Sequence, residues 1–151
     1  MTEAGSYMGI KIAIVGAGSR SFGPGTIRDV FLSDALNETG IELTLMDIAA
    51  EHLTERKEYA DSIAERLSRR ARISCTTDID EALREADYVV TAVEKDRYLY
   101  WSQDFHIPRQ YGFMQVYGEN GGPGGLFHAL RNMGPMVHIA HRIEALCPEG
   151  I

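Results

Sequence analysis

Apolar positions along the chain alternate between short dense runs and longer stretches in which they recur every three or four residues. Residues 11–16 form the first dense run, which ends on glycine and reads as a strand. Residues 24–33 follow as a helix: Pro24 suits its first turn, and Ile27, Val30 and Phe31 share one face. A second strand spans residues 41–47. Residues 49–70 are a long charged helix with Leu53, Ala60, Ile63, Ala64 and Leu67 as its apolar stripe. Residues 72–76 make a third strand. Residues 77–86 make a short helix that Thr77 or Asp78 caps.

Residues 87–93 are almost continuously apolar, which predicts a parallel strand covered on both faces. Residues 96–110 read as helix, interrupted at Pro108. The glycine-rich stretch 117–125 reads as a loop outside regular structure. Residues 126–146 then give a helix with Leu126, Leu130, Met133, Val137, Ala140 and Ile143 as its buried stripe and a kink expected at Pro135. Residues 147–151 begin a connection, and a βαβ repeat would continue into a strand. The order of elements predicts an α/β, Rossmann-like, doubly wound and mostly parallel sheet. Residues 1–9 read as a loose leader. Residues 10–151 read as a nucleotide-binding domain that stops short of a C-terminal catalytic domain.

Composition narrows the partners. The formal net charge of −7 argues against nucleic acid or an anionic membrane. No apolar run approaches the roughly 20 residues that span a bilayer. The two cysteines, Cys75 and Cys147, stand far apart in no metal-like spacing and read as reduced thiols of a cytoplasmic protein.

Two motifs carry chemistry. In Gly16-Ala17-Gly18-Ser19-Arg20-Ser21 a glycine turn joins a strand to a helix, so backbone N–H groups are expected to face a phosphate. The third glycine of a dinucleotide fingerprint would fall where Ser21 stands. Asp47, at the end of the second strand, is placed to accept hydrogen bonds from ribose hydroxyls, which favours NAD over NADP. Arg20 works against that preference, because its guanidinium could pair with a phosphate. The second motif, Gly118-Glu119-Asn120-Gly121-Gly122-Pro123-Gly124-Gly125, fixes an unusual backbone path before a helix. It reads either as a ligand loop carrying Glu119 or as a tight turn with Glu119 in solvent. His138, His141 and Glu144 recur three apart and read as a solvated helix side rather than as metal ligands.

Gly-Ala-Gly-Ser at 16–19, Ile107-Pro-Arg-Gln-Tyr-Gly112, Gly-Pro-Gly-Gly at 122–125 and Ala129-Leu-Arg131 together resemble glycoside hydrolase family 4, the NAD- and manganese-dependent glycosidases. The resemblance implies hydrolysis of an O-glycosidic bond by NAD-dependent oxidation at sugar C3, elimination and addition of water. It also implies Gly16, Gly18, Ser19 and Arg20 as cofactor contacts, with Asp47 on the ribose. Glu119 would support a tyrosine base, with Trp101 and Asn120 on the substrate side. Trp101 stands where phospho-sugar members carry an arginine, which implies a non-phosphorylated α-glycoside such as an α-galacturonide. The tyrosine base and the Mn2+ ligands are expected beyond residue 151, so this chain alone is expected to be inactive. The complete protein is expected to form homo-oligomers. A malate- or lactate-dehydrogenase-like oxidoreductase is the alternative.

Overall fold

Each dense apolar run becomes a parallel strand. The computed structural model describes residues 9–151, so the leader apart from Gly9 lies outside the described residues. Two compact units emerge: one runs to Ala92 and resumes over His141–Ile151, and the other is Val93–Ala140.

The first unit holds β1 (Ile10–Val15), α1 (Phe22–Leu32), α2 (Asp34–Thr39), β2 (Ile41–Met46), α3 (Ala50–Arg66), β3 (Ala71–Thr76), α4 (Ile79–Leu83) and β4 (Tyr88–Thr91). The strands pair in parallel in the order β3-β2-β1-β4. Ile12 lies opposite Leu43 on one side and Tyr88 on the other, so β1 is central and its end opens at the middle of the sheet. This is the Rossmann-like α/β fold that the alternation predicts. Ile12, Ile14, Ile27, Phe31, Ile41, Leu43, Leu45, Leu53 and Ala60 form its core. Burying such side chains contributes about 1.5–3 kcal/mol each.

Several boundaries move for local reasons. α3 stops at Arg66 rather than at residue 70: Ser68 takes a left-handed turn (φ 52°), and Arg69 reaches back to the Phe31 carbonyl (2.8 Å) and to Asp34 (2.9 Å). Leu67 is accordingly exposed, and Arg56 occupies a buried place that the apolar stripe did not include. α2 was not expected; the Ser33 hydroxyl accepts the Leu36 amide at its start. Asp78 caps α4, accepting the Asp80 and Glu81 amides at 2.8 and 3.4 Å. β4 is not covered on both faces, because Tyr88 and Thr91 are exposed. The strand lies at the end of the described sheet. Ile151 donates to the Asp87 carbonyl (2.9 Å) and accepts from the Val89 amide (2.8 Å), the pattern of one further parallel neighbour. Cys75 and Cys147 are free thiols, each with its pKa raised by burial.

In the second unit α5 (Arg97–Gln110) continues through Pro108 instead of breaking there. Proline has no N–H for the Asp104 carbonyl, and the Gln115 side-chain amide supplies one at 3.0 Å. α6 (Gly122–Leu146) begins four residues earlier than expected, so Gly122-Pro123-Gly124-Gly125 is its first turn and not a loop. Proline is tolerated there because first-turn N–H groups have no helical partner. Gly124 is required by packing: a Cβ would lie 2.1 Å from the Asp104 carbonyl oxygen. The helix runs on through Pro135. Leu126, Leu130, Met133, Val137 and Ala140 of its expected buried stripe are exposed, while Gly124, Asn132 and Ile139 are buried. Periodicity records that a face is apolar, not what covers it.

Gly23, early in α1, sits against the end of β1: a Cβ would come 2.2 Å from the Ala17 carbonyl oxygen. Gly25 faces open space. Gly23→Ala is therefore expected to lower unfolding free energy by about 1–3 kcal/mol, and Gly25→Ala to raise it by about 0.5–1 kcal/mol. Urea titration of both variants checks this, and equal midpoints would contradict it.

Candidate functional site

At the C-terminal end of β1 the chain turns on Gly16 (φ 90°), a conformation that disfavours other residues. The Gly16 and Ala17 amides both donate to the Met46 carbonyl at 2.8 and 2.9 Å, which ties the turn to the end of β2. The Ser19 amide closes the turn on the Gly16 carbonyl at 3.1 Å. The Gly18 amide donates to Asp47 Oδ2 at 2.9 Å, and Asp47 Oδ1 accepts the Ala49 amide at 3.0 Å. A Cβ on Gly18 would stand 2.7 Å from that carboxylate and 3.1 Å from His52 Cβ. The structure thus brings Gly16, Gly18, Ser19 and Asp47 to one turn at the end of β1.

Sequence reasoning missed two features of this turn. The four amides from Gly16 to Ser19 are not bare, since each is engaged within the protein. What faces outward is the Ser19 hydroxyl, which accepts the Phe22 amide (3.2 Å) and keeps its own hydrogen to donate, together with the start of α1. The close-packing glycine is Gly23, not position 21; the cue was the Gly-Pro-Gly spacing of residues 23–25. Arg20 lies exposed on the turn. Asp47 retains lone pairs on both oxygens. The turn thus fits a dinucleotide: two carboxylate acceptors for a diol, and a helix start with one hydroxyl donor for phosphate.

The second unit builds a different cluster. The Trp101 indole N–H donates to Glu119 Oε2. Phe105 stacks 5.8 Å from the Trp101 ring, and the Arg97 guanidinium lies 5.5 Å above it. Glu119 is therefore tethered rather than left in solvent. Burial pushes its carboxyl pKa up, but a backbone hydrogen bond, the Trp101 N–H and the charges of Arg97 and His128 outweigh this and leave it lowered. Asn120 is exposed beside it. Sequence reasoning did not join Glu94, His128 and Asn132 to this neighbourhood, although Glu94 lies in an unusual segment after β4. Among the described residues no group of three or more His, Cys, Asp and Glu could hold a metal ion, so the residues present do not fit manganese. His138, His141 and Glu144 are exposed. No helix among the described residues is long and apolar enough to cross a membrane.

A sequence model described as Family 4 glycosyl hydrolase matches residues 11–151. An alpha-glucosidase from Erwinia rhapontici is 44% identical over 143 residues, covering 94% of this chain and 31% of the relative. An alpha-galacturonidase from Thermoanaerobacter italicus is 33% identical over 141 residues, covering 93% and 30%. The crystal structure of a 6-phospho-alpha-glucosidase from gut microorganisms, in complex with NAD and Mn2+, superposes with a TM-score of 0.79 at 26% identity, covering 94% and 31%. The chain spans about a third of the length of the curated relatives it matches.

Two outcomes follow from this geometry. Asp47→Ala removes the acceptor of two amides and is expected to cost about 1.5–3 kcal/mol in urea unfolding; an unchanged midpoint would contradict the latch. Because the Glu119 pKa is depressed, the stability it adds is present above the ordinary carboxylate range and is lost as pH falls through its folded-state value. The single Trp101 indole N–H resonance is expected to shift in that acidic window, and a shift at or above the ordinary range would contradict the assignment.

Proposed function

This chain belongs to glycosyl hydrolase family 4, and on that premise we propose that it supplies the NAD-binding region and part of the sugar site of a glycosidase. The observation that carries the reading is the Gly18–Asp47 contact at the end of the central strand, within a segment that matches the family along its length. In this reading Asp47 accepts hydrogen bonds from the adenosine ribose hydroxyls. The Ser19 hydroxyl and the α1 N-terminus meet the pyrophosphate. Bound NAD supplies a reversible hydride acceptor for the sugar. Glu119, held ionised by Trp101 and Arg97, raises the proton affinity of an acid placed beside it. That role supports a tyrosine base, which the family resemblance puts beyond residue 151 together with the Mn2+ ligands. No step is derived through manganese.

The proposed substrate is a non-phosphorylated α-glycoside. Trp101, where phospho-sugar members carry an arginine, supports this, as do the names of the alpha-glucosidase and alpha-galacturonidase relatives. An α-galacturonide stays within that class, and the 44% identity to an alpha-glucosidase adds α-glucosides to it. Family membership favours this reading over a malate- or lactate-dehydrogenase-like oxidoreductase. Two free thiols and a nicotinamide cofactor fit the cytoplasm. The exposed apolar stripe of α6 fits a surface that further protein covers, in keeping with a homo-oligomer of the complete chain.

Calorimetry tests the cofactor assignment. The chain is expected to bind NAD at least about tenfold more tightly than NADP, whose 2′-phosphate meets the Asp47 charge. Asp47→Asn is expected to weaken NAD about tenfold. Absence of NAD binding, or equal binding by the variant, would overturn the assignment.

A further inference from the structure

The second unit contains an open cavity of about 520 Å3, within the size range of small-molecule pockets. Tyr100, Ile107 and Tyr111 recur at helical spacing along α5 and form one wall. Phe113, from the segment after α5, and Phe127, from α6, complete the lining. The floor lies at Asp104, Pro108 and Gly124, all buried. The mouth lies among Tyr111, Phe113 and Phe127, which are 76%, 49% and 61% exposed. A ligand therefore has both room and a way in. The floor is also the most firmly tied part of the unit. Gln115 meets the Asp104 carbonyl, Gly124 packs on the same oxygen, and the Asp104 carboxylate pairs with Arg131. The cavity is thus preformed, as small-molecule sites usually are.

Charge decides what fits. Among the described residues the charged groups on the lining are Asp104 and Arg131, and they are paired with each other. A cation would meet Arg131, whose guanidinium already covers the Tyr100 ring at 4.7 Å. An anion would meet Asp104 and the negative faces of the aromatic rings. A neutral group meets neither penalty. The mouth is formed by aromatic side chains, against which another flat ring packs with large contact area. On the lining, Gln103 donates its amide nitrogen to the Leu99 carbonyl at 2.9 Å and keeps its amide oxygen to accept from a hydroxyl. We propose that this cavity binds a neutral aryl group, the aglycone of an aryl glycoside. Gly118 joins it to the sugar residues. A Cβ there would lie 2.9 Å from the Trp101 carbonyl oxygen and 3.2 Å from Asp104 Cβ, so the segment that carries Glu119 rests on the α5 turn that supplies the cavity floor. The inference rests on the sugar-site reading above and adds to it a preference for aryl over alkyl glycosides.

Phenyl and methyl α-D-glucopyranoside, titrated by NMR in the presence of NAD, are the probes. Trp101 is the only tryptophan, so its indole signal reports the sugar side, and the assigned Phe127 ring signals report the cavity. Phenyl glucoside is expected to bind about tenfold more tightly than methyl glucoside and to move both signals with one Kd. Phe127→Ser is expected to erase that advantage and leave the methyl glucoside Kd unchanged. Tyr111→Ser serves as a second variant; both side chains are mostly exposed, and a dispersed amide spectrum verifies each fold. Equal Kd values for the two glucosides, with Trp101 still responding, would overturn the cavity assignment and leave the sugar site standing. Silence of Trp101 with either glucoside would overturn the two together. Sedimentation reads the competing occupant: a dimer of the chain that Phe127→Ser dissociates would assign the cavity to a second copy and overturn the inference.

Discussion

The architecture of the first unit depends on how one carboxylate is used. Asp47 directly follows β2, accepts the Gly18 amide from the turn after β1, and accepts the Ala49 amide at the entry to α3. The turn after β1 is thereby fixed to the connection between β2 and α3 at the C-terminal edge of the sheet. Hydrogen bonds to a charged acceptor are stronger than neutral ones, and these add to the turn's backbone pairs to Met46 and its Ser19–Gly16 closure. Each of the two oxygens keeps acceptor capacity beyond these bonds. In the proposed reading one group serves both the fold and the ligand, which ties site geometry to folding and would offer a nucleotide a preorganised surface.

The second unit is organised around a backbone oxygen instead. The Asp104 carbonyl loses its helical donor to Pro108, recovers one from Gln115, and lies where any side chain at position 124 would collide. Proline in the last turn of one helix and glycine in the first turn of the next are two halves of one contact. The carboxylate of Asp104 pairs with Arg131, whose guanidinium also lies over the Tyr100 ring at 4.7 Å. With the two helices joined in this way, Glu119 is brought to Trp101 by the connecting segment.

What could be read from the sequence follows the range of each signal. Strands and core were legible because burial imposes period and run length on the residues themselves, as in Ile41, Leu43 and Leu45. The turn and Asp47 were legible because glycine and a strand-end carboxylate have few other uses at that spacing. Less legible was anything decided by a contact across sequence. Pro108 signals a break locally, and only Gln115, seven residues on, shows why the helix survives. Engagement of three of the four turn amides depends on Met46 and Asp47, and the Ser19 amide is met by the Gly16 carbonyl. Glu94 and His128 are 34 positions apart, and nothing in either neighbourhood announces the other. The apolar stripe on α6 was real as a pattern, yet its burial depends on surfaces that a periodicity does not specify.

The central claim is that a dinucleotide rests on the turn after β1 with its ribose on Asp47. A crystal structure of the chain with NAD tests it most directly. The account predicts both adenosine ribose hydroxyls within hydrogen-bonding distance of the Asp47 carboxylate, with the Gly18 contact preserved and the pyrophosphate at the start of α1. Density for NAD elsewhere, or an Asp47 turned away from the bound ribose, would contradict it.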